Sequence, residues 1–173
     1  MKKSLFTLIL ISLFLTSCTS YKTIPLKGNY LDKPYVIESE KNFNQVWSNI
    51  IDLFATNGIS IKLLDKDSGL IVAEKNSFIN NYTYENKEGL LENPNAYVVV
   101  NKVKGDALLD RSIIPVEIFG EWNVRIKETV DNKTSININL NSLEAWGINY
   151  NSRYFFLIKS TGVYENLIAE FIK

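Results

Sequence analysis

The sequence predicts an α+β domain of two layers, in which an antiparallel twisted sheet of five to six strands carries two helices packed on one face. Three observations predict it. Apolar residues recur at helical spacing over 43–57 and again over 161–173. They alternate at period two over 122–126 and 136–140. Each of these elements therefore has a single apolar face, and such faces are buried together by laying the helices on the sheet.

Tyr35-Val36-Ile37 is a short β-type run. Phe43, Val46, Trp47, Ile50, Ile51 and Phe54 then fall at i, i+3, i+4, i+7, i+8 and i+11, one stripe along a helix over 43–57. Asn42 with Gln45 forms a reciprocal N-terminal capping pair, and Asn57-Gly58 supplies a left-handed stop. Ile59, Ile61 and Leu63 alternate with Ser60 and Lys62. Asp65 to Gly69 turns the chain into Leu70-Ile71-Val72-Ala73, which completes a hairpin. Residues 75–95 read as a long loop with at most a short element, and Tyr97 to Val100 as a strand by β-branching. Residues 104–120 are ambiguous: Leu108 and Leu109 suggest a helical turn, while Pro115 and Gly120 break any long element.

Trp122, Val124 and Ile126 face Ile136, Ile138 and Leu140 across the turn Asp131-Asn132-Lys133, with polar residues on the opposite side. Trp146 to Tyr154 reads as an aromatic, Asn-rich connection. The last helix puts Val163, Leu167, Ile168, Phe171 and Ile172 on one side. The order β-α-β-β, further strands and a closing helix, with Trp47, Ile50, Phe54, Gly58-Ile59, Ile61, Asp65, Gly69 and Ile71, resembles the helix-grip domains of BamC-like envelope lipoproteins. That resemblance is a packing pattern, strongest over 35–73, and implies no functional residues.

The first seventeen residues read as a secretion signal: Lys2 and Lys3, then an apolar run shorter than the roughly 20 residues of a membrane span. Its end, Leu15-Thr16-Ser17-Cys18, resembles the lipobox of bacterial lipoproteins. The resemblance implies cleavage before Cys18 and acylation of its thiol, which holds a protein durably once two or more chains are attached. Residues 18–29 read as the lipidated N-terminus and a tether, its part after the cysteine reaching about 35 Å when extended, and 30–173 as one domain. Thr19, where sorted lipoproteins retained in the inner membrane carry Asp, implies the outer membrane, facing the periplasm.

Composition narrows the chemistry. Cys18 is the only cysteine and there is no histidine, so the expected export brings no internal disulfide, no thiol or imidazole nucleophile or base, and no such ligand for a metal. Loss of Lys2 and Lys3 from a chain with 19 basic and 19 acidic residues leaves a small acidic excess, which speaks against nucleic acid as a partner. Asp65-Lys66-Asp67-Ser68-Gly69 resembles the start of a calcium loop, but the closing bidentate position falls on Asn76, so a hairpin turn is the reading. Asp106, Asp110, Glu117 and Glu121 have no spacing that fixes a catalytic pair. Neither Ser112 nor Ser160 sits in a Gly-x-Ser-x-Gly elbow. No catalytic residue, metal site or cofactor is expected.

Tyr82, Tyr84, Trp146, Tyr150 and Tyr154 stand in polar sequence where no amphipathic face requires an aromatic, which makes them the candidate contact surface. The expected function is that of a non-enzymatic interaction module, anchored in the membrane through lipid on Cys18 and serving another envelope protein, for instance as an accessory to an assembly complex. The alternative is a carrier of a small hydrophobic ligand or lipid, in a pocket between helix 43–57 and the sheet. An enzyme acting on wall polymers would need two converging carboxylates.

Overall fold

A computed structural model describes residues 21–30, 34–105, 112–131 and 133–172. The expected signal, Cys18, Asp106 and Asp110 lie outside the described residues. The elements are β1 (Lys22–Ile24), β2 (Tyr35–Ser39), α1 (Phe43–Thr56), β3 (Ile61–Asp65), β4 (Leu70–Ala73), β5 (Asn76–Ser77) and β6 (Tyr82–Thr83). After them come β7 (Val98–Val100), β8 (Lys102–Lys104), β9 (Ser112–Ile113), β10 (Glu117–Glu128), β11 (Thr134–Asn149), β12 (Ser152–Phe155), β13 (Ile158–Ser160) and α2 (Val163–Ile172).

The chain is α+β, and its strands pair antiparallel except for β6 with β7. The expected single sheet of five to six strands is corrected. The largest sheet has seven strands in the order β12-β11-β10-β4-β3, with β2 also on β11 and β5 also on β10, and two three-stranded sheets, β1-β8-β9 and β13-β7-β6, stand beside it. The physical reason is the length of β10 and β11. These two strands outrun their neighbours, so different short strands complete different stretches of their edges.

Trp122 lies opposite Leu140, Val124 opposite Ile138 and Ile126 opposite Ile136, all buried. The buried positions then change parity: Ala145 and Gly147 lie inward beyond Ser142, whose φ is 50°. One irregular residue thus bends β11 and turns its far end over.

On the apolar face lies α1, begun by the expected capping box: the Asn42 side chain accepts from the Gln45 amide at 3.0 Å and Gln45 Oε1 from the Asn42 amide at 3.1 Å. Gly58, at φ 67°, ends it. Val46, Ile50 and Phe54 are completely buried against the sheet, while Phe43, Trp47 and Ile51 are half-buried at the margins. The second helix packs on α1, β11 and β2, but its buried side differs from the expected stripe. Tyr164, Glu165, Ile168, Ala169 and Ile172 face inward, and Leu167 and Phe171 are exposed.

Glu165 is a buried carboxylate, 2% exposed. Ser160 Oγ donates to its Oε1 at 2.6 Å, and Oε2 has no hydrogen-bond partner among the described residues. Burial pushes the carboxyl above its ordinary value of 4.5, with the Ser160 bond holding back part of the rise. The folded chain therefore keeps this proton to higher pH than the unfolded chain does. Stability falls as pH climbs from the ordinary glutamate range through the raised native value. Glu165→Gln removes the titration and keeps the Ser160 bond; it is expected to raise stability by about 1 kcal/mol at pH 7 and by little at pH 4. Urea unfolding of both proteins at the two pH values checks this, and a uniform gain would show that charge is not the cause.

The tether reading is corrected over the residues that are described. Lys22, Thr23 and Ile24 pair with Lys104, Val103 and Lys102, filling the edge of β8 that β9 leaves open. Beyond β1, Glu85 fastens the chain again: its carboxylate accepts from the Lys27 amide at 2.8 Å, the Gly28 amide at 2.7 Å and the Tyr30 hydroxyl at 2.5 Å. Burial raises the Glu85 carboxyl, but these donors outweigh it and hold it below the usual range. The Tyr30 phenol moves up, through burial and then through Glu85.

Candidate contact surface

The structure separates the five aromatic residues into three groups. Tyr82 and Tyr84 pack edge to face, ring centroids 5.5 Å apart, and both lie half-buried against the core. The Lys102 ammonium stands 5.5 Å from the Tyr84 ring centre, and burial raises the Tyr84 phenol. Tyr154 turns inward: it pairs with Gly147, meets Phe156 edge to face at 5.3 Å, and its hydroxyl lies 2.6 Å from Thr23 Oγ1. Trp146 and Tyr150 belong to the outer face and tip of the β11–β12 hairpin.

The Asn-rich connection expected over 146–154 is that hairpin, a correction with a local cause. Tyr150 takes φ 53° and closes a tight turn, so Trp146, Gly147, Ile148 and Asn149 pair with Phe155, Tyr154, Arg153 and Ser152. Directly opposite residues share a face. Glu117, Trp146 and Phe155 therefore form one row across three strands, with Phe119 and Glu144 in the row before it and Ile148 and Arg153 in the row after it. Ile148 is 58%, Tyr150 66% and Phe155 64% exposed. The Arg153 guanidinium lies 4.4 Å from the Trp146 ring centre, and Lys75 lies over Phe119 and 3.9 Å from Glu144. The result is an apolar and aromatic centre with charges of both signs around it.

Ile148, Arg153 and Phe155 escaped the sequence reading. The signal was present, because 146/148 and 153/155 alternate symmetrically about Asn149-Tyr150-Asn151. Gly147 makes the surface possible by letting the chain at Ile114 cross behind it; an added Cβ there would run into the Ile114 carbonyl oxygen.

The space expected to hold a carried ligand is occupied. Val46, Ile50 and Phe54 fill it from the helix, and Trp122, Val124 and Ile126 fill it from β10. An open cleft of about 320 Å³ lies beside the helix end, where Asn57, Asn80, Asn81, Tyr97 and Tyr164 line it.

Asp65 accepts from the Ser68 hydroxyl at 2.7 Å and from its amide at 3.2 Å, as a turn residue, and these bonds lower its carboxyl. Glu121 pairs with Lys62 at 3.4 Å, and Glu117 stands in the row with Trp146. Ser160 is buried on Glu165, and Ser112 is exposed on β9. No cluster of three or more metal-ligating side chains occurs among the described residues, and no described helix is long and apolar enough to cross a membrane. Comparison with protein-family models and with curated proteins gives no match.

Proposed function

We propose that the chain is a lipid-anchored, non-enzymatic interaction module of the bacterial envelope, held through Cys18 in the outer membrane facing the periplasm and serving another envelope protein, for instance within an assembly complex. The observation that carries the reading is the outer face of the β11–β12 hairpin. Monomeric proteins rarely leave side chains such as Ile148, Tyr150 and Phe155, beside a half-buried Trp146, together in solvent unless something covers them. An aromatic centre with arginine and a mixed-charge rim has the anatomy of a protein interface. Glu117 and Glu144 on the same face oppose an anionic lipid surface, which favours protein over bilayer as the occupant. The signal and Leu15-Thr16-Ser17-Cys18 support the anchor, and an antiparallel sheet with α1 packed on it supports the helix-grip likeness.

A photo-cross-linking residue at position 155, introduced into the full chain in the native cell, tests the reading. The expected result is one discrete protein adduct, lost with Cys18→Ala and reduced at least tenfold by Ile148→Asp. The same probe at position 130, where Val130 is fully exposed far from the hairpin in sequence, should give none. Adducts to lipid alone, or adducts indifferent to Ile148→Asp, would overturn it.

A further inference from the structure

We infer that the lysine-bearing face of the β1–β8 pair is a seat for a phosphate-bearing anionic headgroup, supplied by the membrane lipid itself. Ile24 stands opposite Lys102, and Lys22 stands opposite Lys104, so these four side chains share one face. Thr23, between them, points the other way, toward Tyr154. Two lysines placed directly opposite each other on paired strands repel, and an anion between them converts that repulsion into attraction.

The same face opens on a pocket of about 230 Å³. Ile24, Pro25 and Leu26 give it an apolar floor, while Lys27, Lys87, Lys102 and Lys104 stand around it. Glu85 lines the pocket too and, held by neutral donors, the Tyr30 hydroxyl and two backbone amides, keeps a negative charge at its edge, while Glu92 pairs with Lys102 at 2.5 Å. Lys27 Nζ donates to the Lys87 carbonyl at 2.7 Å. Lys22, Lys87 and Lys104 have no acidic partner among the described residues. A rim of ammonium groups over an apolar floor suits a charged headgroup with hydrocarbon below it better than a bare ion.

Position selects the lipid as the source, and here the inference rests on the proposed acylation. Tyr21 precedes β1 directly, and only Thr19 and Ser20 separate it from Cys18. Whatever holds Cys18 brings this face to the bilayer surface, while the apolar hairpin face lies beyond Thr23 and Tyr154 on the other side of β1.

The test uses residues 19–173 without acyl chains; this span contains every described residue, and the anchor contributes nothing to binding. Sedimentation with vesicles of phosphatidylcholine containing phosphatidylglycerol is expected to show at least tenfold preference over phosphatidylcholine alone, fading between 50 and 300 mM salt. Each lysine removed should weaken binding roughly fivefold. Lys104→Gln is expected to show that fivefold loss while its thermal midpoint stays level or rises, because the repulsion from Lys22 is relieved; weakened binding with a lowered midpoint, or unchanged binding, would overturn the inference. Inorganic phosphate, titrated against the amide resonances of residues 22–24 and 102–104, separates the sources. Shifts there without vesicle binding would overturn the lipid as the source, and neither shifts nor vesicle binding would overturn the site. Failure of the anchor reading shows separately, as Cys18 without acyl chains in the mass spectrum of the protein purified from cells.

Discussion

Gly69→Ala is expected to destabilise the fold by about 3–4 kcal/mol, which lowers the thermal midpoint of a chain this size by roughly 6–16 °C. Gly69 closes the β3–β4 turn at φ 70°, a conformation that costs an alanine about 1–2 kcal/mol. A second cost comes from β10: a Cβ on Gly69 would run into the Ile126 carbonyl oxygen, and the Ile126 amide donates to the Gly69 carbonyl at 2.8 Å. Backbone cannot rotate away as a side chain can, so the turn must lift off β10 and lose that bond. Gly58→Ala is the control. It shares the left-handed φ, at 67°, but has nothing within 4 Å of the added atom, so only about 1 kcal/mol is expected. Urea midpoints that move equally for both variants would show that close approach to β10 has no energetic weight.

Phe54→Ala is expected to cost about 3–5 kcal/mol, the usual range for a fully buried phenylalanine whose cavity cannot collapse. Phe54 is completely buried at the end of the α1 stripe, above a sheet whose own side chains are fixed by pairing. Trp47 belongs to the same apolar stripe in sequence, yet it is only half-buried and stacks on Phe43 at 5.8 Å. Trp47→Ala should therefore cost about 1 kcal/mol, in line with partial burial. Equilibrium unfolding of the two variants measures the difference directly, and a Trp47 cost equal to that of Phe54 would contradict the packing described.

Periodicity carried the helix because Val46, Ile50 and Phe54 share one face over several turns, and its ends were legible in Asn42, Gln45 and Gly58. The same method placed the centre of β10 and β11, where single-sided burial leaves an alternating trace, and the β3–β4 turn, although the expected face of β3 is not kept: a register shift follows Ile61 and Leu63 is exposed. It failed where that trace is interrupted. Polar Ser142 and Glu144 break the alternation after Leu140, and Ser142 reverses the facing, so Trp146 and Ile148 lie outward although they are in phase in sequence with Ile136 and Ile138. The segment then looked like a connection. In α2 the buried set includes Glu165, whose partner Ser160 lies outside the helix, and Tyr164 beneath Trp122 at 4.4 Å. No hydrophobic count selects a carboxylate for the inside. Of the aromatics in polar sequence, Tyr150 is exposed at the hairpin tip and Trp146 half-buried on its outer face. Polar context alone could not distinguish them from Tyr154, because one residue along a strand reverses the face.

The fastening of the N-terminal segment by β1 and Glu85 changes what kind of search the molecule can conduct. Were residues 19–29 a free leader of about 35 Å, the domain could sweep a volume above the bilayer. With Tyr21 already seated, the span from Cys18 is about 10 Å at full extension. On the proposed acylation, the domain would stay close against one membrane and move in its plane. Encounter becomes a two-dimensional problem in which a partner held in the same leaflet enjoys a high effective concentration, while one tethered across the compartment stays out of reach. Modest intrinsic affinity at the hairpin face would then suffice for a lasting complex.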